Sequence, residues 1–328
     1  MNFFILFLVP FIFSLIFWPA ARIAGTRFGL IDYPDHRKIH SVPTLKIGGF
    51  LIFAGYVIGI LIYQKFWFPL HLSILLIFLT GVFGDKDLIP ARQRLLVQAL
   101  IALTFILISD SVVTDLGIIE LPYFLQIPFT LIGIVGLVNA YNIVDGMNGL
   151  CSGLGIISLF TIAILGHLYG NTEIAMQALL FSGGICGFLI FNLMGRCFMG
   201  DAGSYMIGFM VSSLSVNLAS NVKEISAFAF LLNVYIPFFD TLFTIWRRKR
   251  LHKDPLKPDK RHLHHILSRR YHSKSRSLIV ILSIQLILSG FAILFRGYTS
   301  VLIILIILST LFLIRLWFRR LRLFKISL

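Results

Sequence analysis

Charge is scarce in this chain, and negative charge scarcest. Only 13% of its 328 residues are charged, with 14 acids against 29 Lys and Arg. A soluble domain of that length needs far more polar surface to cover its core, so the water-soluble globular class is excluded. Cysteine is also rare. Cys151, Cys186 and Cys197 lie in or beside apolar runs, at spacings that match neither a zinc pattern nor a disulfide pair. Their expected use is as small apolar residues in helix packing. No nucleic-acid motif accompanies the net charge of +15, so no nucleic-acid partner is expected. No internal repeat is present, and no Gly/Pro interruptions recur at matching positions of two halves, as they do in many transporters. The apolar stretch Asn2 to Ala20 has no basic flank before it, and its nearest charge, Arg22, follows it. That favours a retained first helix over a cleaved leader.

What the chain does have is hydrocarbon. Hydrophobic residues make up 58% of it, and the mean hydropathy is +0.90. They fall in blocks of roughly 15–20, the length that spans a bilayer core of ~30 Å. The expected fold is all-α: one polytopic membrane domain over residues 1–328, with about eleven transmembrane helices. The segments run near 3–20, 47–64, 68–83, 95–110, 123–139, 150–169, 173–193, 203–221, 225–246, 277–294 and 299–317. The count is ten if the second and third, parted only by Gln64, Lys65 and Pro69, are one.

Basic residues set the expected orientation. With the N-terminus outside and strict alternation, the inner loops and the C-terminal tail hold 26 of the 29 Lys and Arg. Lys and Arg remain cytoplasmic, so the C-terminus is expected inside and the protein in the inner (plasma) membrane. The largest soluble piece is the basic loop 247–276, with room for a short amphipathic helix or hairpin. Basic residues between spans suit anionic lipid and phosphorylated substrates.

Four polar clusters then fall on the same inner face. Polar groups at a membrane are expensive, and function is their default explanation. Asp85 and Asp87 follow Gly84; the pair suits a hard cation or a base beside phosphate, or is a solvated charge cluster. Asn139, Asn142 and Asp145 are three apart and share a helix face, with Asn148 after Gly146. Their amide and carboxylate groups fit Mg²⁺ or phosphate; the plain alternative is a helix C-cap. Gly200 and Asp201 precede an apolar helix, where Asp is either an N-cap or a metal ligand beside a phosphate-binding helix start. Asn192, near the end of the preceding span, is a weaker candidate for the same site. His262, His264 and His265 stand beside Lys260 and Arg261 and suit phosphate better than zinc, since the other donors are oxygens. A basic loop resting on lipid is the alternative. In the first inner loop, Lys38 and His40 suit a phosphate clamp, although alone they read as ordinary positive-inside residues.

In order and spacing these clusters resemble the polyprenyl-phosphate N-acetylhexosamine-1-phosphate transferases. The matching pieces are Arg37-Lys38-Ile39-His40 with Gly48-Gly49, Gly84-Asp85 through Arg94 to Gln98, Asn139 to Leu150, Phe198 to Ser204, and His262 to His265. They cover about residues 32–265. The resemblance implies an enzyme that moves a sugar-1-phosphate from a UDP-N-acetyl sugar to undecaprenyl or another polyprenyl phosphate, releasing UMP. It implies Mg²⁺, with Mn²⁺ as a substitute, held principally by Asp201 with help from Asn142. Asp85 is implied beside the acceptor phosphate, with Asp145 and Asp87 as further catalytic acids. Lys38, His40, Asn139, Asn148, Asn192, Gly200, His262, His264 and His265 are implied in substrate binding. The His-Leu-His-His form looks like the branch that starts O-antigen, lipopolysaccharide or teichoic-type chains. The peptidoglycan branch, carrying a muramoyl pentapeptide, is the alternative, and a homodimer is a candidate assembly. The chain departs from the family where Gly84 replaces the first of two adjacent acids, where Leu88 replaces a third, and at Asn148, where many members carry Asp. Asp87 is the candidate substitute acid; an anionic-solute transporter and an inactive scaffold are the rivals from other classes.

Overall fold

The computed structural model describes residues 2–34, 42–252 and 262–321, with side chains through Leu316. Lys38, His40, Lys260 and Arg261 lie outside the described residues. The chain is mostly helical, 78%. Its elements are α1 (Phe3–Ile16), α2 (Trp18–Arg27), β1 (Ile31–Asp32), β2 (Thr44–Lys46), α3 (Gly48–Tyr63), α4 (Phe68–Asp85), α5 (Ala91–Ser109), α6 (Tyr123–Val144), α7 (Leu150–Leu168) and α8 (Thr172–Leu193). There follow β3 (Cys197–Phe198), α9 (Gly200–Asn221), α10 (Ala227–Asn233), α11 (Tyr235–Arg250), α12 (Leu263–Tyr271), α13 (Lys274–Leu294) and α14 (Thr299–Leu321).

Every expected apolar segment coincides with a helix, but the count of eleven spans is not reached. Among the described residues, eight helices, α4 to α9, α13 and α14, are long and apolar enough to cross a membrane. Two bent pairs, α1 with α2 at 50° and α10 with α11 at 82°, raise the number to ten if each is one span. The remaining segment, α3, is apolar but only 16 residues long. The helical expectation agrees with the structure, with one addition: β1, β2 and β3 form a small sheet. β1 runs antiparallel to β2, with Ile31 opposite Leu45, and β2 runs parallel to β3, with Lys46 opposite Phe198. Two- and three-residue strands carry too short an alternation to stand out between apolar runs.

Helix α9 is the hub. It packs against α3, α4, α6 and α7, and it is buried along most of its length. Helices in lipid gain little from apolar burial, so close approach through small residues holds them together. A Cβ on Gly208 would stand 2.6 Å from Val138 Cα of α6, so a larger residue there forces the two helices apart. By contrast α14 presents Ile304, Ile307, Leu308 and Leu311 outward, as a lipid-facing helix should.

The 82° bend between α10 and α11 breaks the helical ladder among buried residues. Backbone groups at that depth must find partners inside the protein. Gln285 of α13 supplies them: its Oε1 accepts from Ile236 N at 3.0 Å, and its Nε2 donates to Asn233 O at 2.7 Å. Ser158 Oγ also donates to Asn233 O at 3.0 Å, and Asn233 Nδ2 donates back to Ser158 O at 3.1 Å. Ser158 Oγ lies 2.8 Å from Tyr141 OH, which ties the bend to α6. Replacing Gln285 by Leu strands the buried Ile236 N, at about 1–3 kcal/mol, while Asn233 O keeps Ser158 Oγ. The Gln285→Leu protein should therefore unfold several degrees below wild type in detergent, read by thermal unfolding. An unchanged midpoint would show that the bend does not need this side chain.

Candidate active site

Four helix ends build the site. Alternating direction brings the C-terminal ends of α4 and α6 to the N-terminal ends of α5 and α9. The sheet adds Lys46, because β2 runs beside β3, which leads directly into α9.

The first contact is between α4 and α9. Asp85, the last residue of α4, accepts hydrogen bonds from Asp201 N at 3.0 Å and Ala202 N at 3.2 Å. Its carboxylate therefore occupies the positive start of α9, where helix N–H groups have no intrahelical partners. Gly200 makes this approach possible. Its φ is +74°, and a Cβ there would lie 2.5 Å from Asp85 Oδ2. Gly200, expected as a substrate contact, serves here to let a carboxylate reach the helix start. Lys46 Nζ stands 4.0 Å from Asp85 and 3.6 Å from Asp32, bridging the sheet to the acids.

Asp201 points back across the same space. Its Oδ1 accepts from Asn142 Nδ2 at 2.9 Å, and its Oδ2 pairs with Arg94 of α5 and lies 3.4 Å from Tyr205 OH. Asn142 also donates to Ser204 Oγ at 3.0 Å. Asn142 thus orients Asp201 through its amide nitrogen, where the sequence reading gives it a ligand oxygen. Asn139 donates to Gln98 Oε1 of α5 at 2.8 Å and is held one turn above.

Asp145, at the end of α6, completes the group. It is half-buried, and no described residue donates a hydrogen bond to its carboxylate. Burial, then the charges of Asp201 and Asp85, push its pKa up to about 7. An acid held so close to two others is a place of uncompensated negative charge. Among the described residues no three His, Cys, Asp or Glu side chains already form a metal cage. Mg²⁺ does not require one: it is commonly bound through one or two carboxylates, substrate phosphates and water. The donor set at Asp145 and Asp201 fits that pattern.

The histidines meet this group through the turn after α6. A Cβ on Gly146 would stand 2.6 Å from His264 Cε1, so the imidazole packs directly on the residue after Asp145. His264 Nε2 is buried without a hydrogen-bond partner among the described residues. Burial first, then its neighbour His265, lowers the His264 pKa to about 3, so this ring is neutral at physiological pH. The His262 and His264 rings lie parallel, 5.9 Å apart, and His265 is 4.1 Å from His264.

Other expected residues are used differently. Asn192 is consumed by the fold: Oδ1 accepts from Gly149 N at 2.7 Å and Nδ2 donates to Cys197 O at 2.9 Å. Asp87 is exposed on the turn after α4 at φ +54°, and its carboxylate makes no hydrogen bond or ion pair among the described residues. It is not one of the charges that act on Asp145, so the substitute-acid expectation finds no support in the geometry. Asn148 is half-buried beside the turn, without a side-chain hydrogen bond among the described residues. The cysteines form no disulfide.

Against known proteins, the chain matches the model of glycosyl transferase family 4 over residues 67–219. It is 32% identical to a probable undecaprenyl-phosphate N-acetylglucosaminyl 1-phosphate transferase of Bacillus subtilis, over 89% of this chain and 85% of that protein. The chain belongs to glycosyl transferase family 4. It is also 32% identical to the undecaprenyl-phosphate alpha-N-acetylglucosaminyl 1-phosphate transferase of Salmonella typhi, over 85% of this chain and 80% of that one. The protein of the same name from Escherichia coli strain K12 is 29% identical over 83% and 78%. The family match takes in Asp85, Arg94, Asn142, Asp145 and Asp201, the residues that α4, α5, α6 and α9 bring together.

Within this family site, Asp240 has a place that the sequence reading left unassigned. It is buried in α11, lies 2.9 Å from His262 Nδ1, and accepts from Leu263 N at 2.9 Å. One acid thus fixes both the first histidine and the start of α12. An Asp set in the apolar first half of α11 was the available signal. Lys46 is hidden among positive-inside charges, and Arg94 stands in a matching piece of the family without a role of its own.

The raised pKa of Asp145 predicts a pH-dependent stability. An acid whose pKa is higher folded than unfolded costs stability as pH rises from its ordinary value to the folded one. Asp145→Asn removes that cost. In the absence of divalent ions it should raise the unfolding temperature clearly at pH 8, and less at pH 5, where the folded-state carboxyl is already protonated. Equal gains at both pH values would contradict the assigned crowding of acids.

Proposed function

We propose that this family 4 member transfers N-acetylglucosamine-1-phosphate from its UDP-sugar to undecaprenyl phosphate, releasing UMP and starting a cell-surface polysaccharide. One observation carries the reading: the carboxylates of Asp85, Asp145 and Asp201, from the ends of three helices, gather around the start of α9, and that of Asp145 has no hydrogen-bond donor among the described residues. The names of the relatives supply the lipid and the sugar, and nothing in the geometry favours the muramoyl-pentapeptide alternative. The concentration of Lys and Arg between spans supports placing the site on the cytoplasmic side of the inner membrane, with the N-terminus outside and the C-terminus inside.

Asp145 and Asp201 are the residues that would hold Mg²⁺, with Asn142 orienting Asp201. When bound, the ion supplies charge neutralisation on the donor diphosphate. Lys46, beside Asp85, and Arg94, paired with Asp201, would lend positive charge to the same phosphates. His264 offers a neutral imidazole next to Asp145, and Asp240 keeps the histidine arm in place. Asp85 is spent on two backbone N–H groups, so its part is to order the start of α9. The lipid phosphate is already anionic at neutral pH. Its oxygen attacks the β-phosphorus, the bond from that phosphorus to the bridging oxygen breaks, and UMP leaves with the electron pair. Positioning and charge stabilisation are what such a transfer needs most.

Purified protein incubated with Mg²⁺, undecaprenyl phosphate and a panel of UDP-N-acetyl sugars should release UMP, fastest with UDP-N-acetylglucosamine. Asp201→Ala should lower the rate by about 100-fold or more, in the range of a lost electrostatic group. Near-normal release from that variant overturns the site. Anion flux into proteoliposomes without UMP would indicate a transporter, and tight UDP-sugar binding without turnover an inactive scaffold.

A further inference from the structure

Residue 84 has no side chain, and the space before it is taken by an arginine. A Cβ on Gly84 would lie 2.7 Å from Arg94 Nη1, 3.0 Å from Arg94 Cδ and 2.9 Å from Asp201 Oδ2. The guanidinium crosses that space to pair with Asp201. Its own helix gives it little reason to be there. Arg94 closes the first turn of α5, where the helix dipole disfavours positive charge. Arg94 Nε is buried without a hydrogen-bond partner among the described residues, which is a further cost. What offsets both is the negative charge that Arg94 faces.

We propose that Arg94 is a built-in cation of this site, admitted by Gly84, that competes with the divalent ion for Asp201 and yields it when a diphosphate arrives. The inference rests on the transferase reading and deepens it. A guanidinium grips phosphate oxygens through a planar fork of donors, so an incoming diphosphate offers Arg94 a second anion. Asp201 is then released to the ion. Binding of ion and diphosphate is coupled in this way, and each strengthens the other by the same factor. Without a diphosphate the ion must displace Arg94, and it binds weakly.

The experiment reads Mn²⁺ binding to the purified full chain by electron paramagnetic resonance, with and without UDP. Arg94→Gln should bind Mn²⁺ about tenfold more tightly than wild type when UDP is absent, and UDP should then improve affinity less than it does in wild type. Gly84→Ala keeps the arginine but crowds its Nη1, and should shift Mn²⁺ affinity in the same direction. Arg94→Lys keeps the charge and should stay near wild type. Unchanged or weaker Mn²⁺ binding in both Arg94→Gln and Gly84→Ala overturns the proposal, as does no Mn²⁺ binding by any of the proteins. UMP release in parallel samples separates the two readings. Tightened Mn²⁺ binding in a chain that makes no UMP retains the role of Arg94 and removes the transferase; UMP release without any affinity shift does the reverse.

Discussion

Crowded negative charge at the start of one buried helix is the constraint on which the site depends. Carboxylates repel, and a low-dielectric surrounding strengthens the repulsion. They stay together here because each is answered differently. Asp85 is answered by the backbone of α9, Asp201 by Arg94 and Asn142, and Asp145 by no described residue. The position of α9 follows from the same arrangement. Its first turn is held by an acid from α4, while small residues farther along let α6 approach to backbone contact. The charge needed for chemistry thus also fixes where the central helix begins.

The surrounding membrane sets a second condition. Wherever the chain departs from a straight helix among buried residues, its backbone polar groups need partners. Gln285, Asn233 and Ser158 meet that need at the bend between α10 and α11. The cost is repaid in direction. The bend turns α11 so that Asp240 reaches His262 and sets α12 beside the turn that follows Asp145. Buried polar groups therefore have separate uses: those at the bend shape the chain, and those at the helix ends gather around Asp201.

Much of this was legible in the sequence, and the reasons are physical. Long apolar runs are strong signals, so every helical segment from α3 to α9 was expected near its observed place. Asn139, Asn142 and Asp145, three apart, are expected to act together; Asn142 bonds Asp201, Asp145 feels its charge, and Asn139 turns to Gln98 instead. The remainder is mostly nonlocal. The sheet pairs residues near 45 and 197, a contact that no local pattern announces. Arg94 stands in a piece that matches the family, but its partner lies 107 positions away and no local pattern gives its role. Asn192 misled because an amide that satisfies two backbone groups looks, in sequence, like one offered to a ligand.

The tie between Asp240 and His262 has an evolutionary consequence. One carboxylate holds both the first imidazole and the first turn of α12. Losing it frees two anchors together, so the helix and the histidines it carries are kept or lost as a unit, and a single inherited change at Asp240 reaches the whole arm.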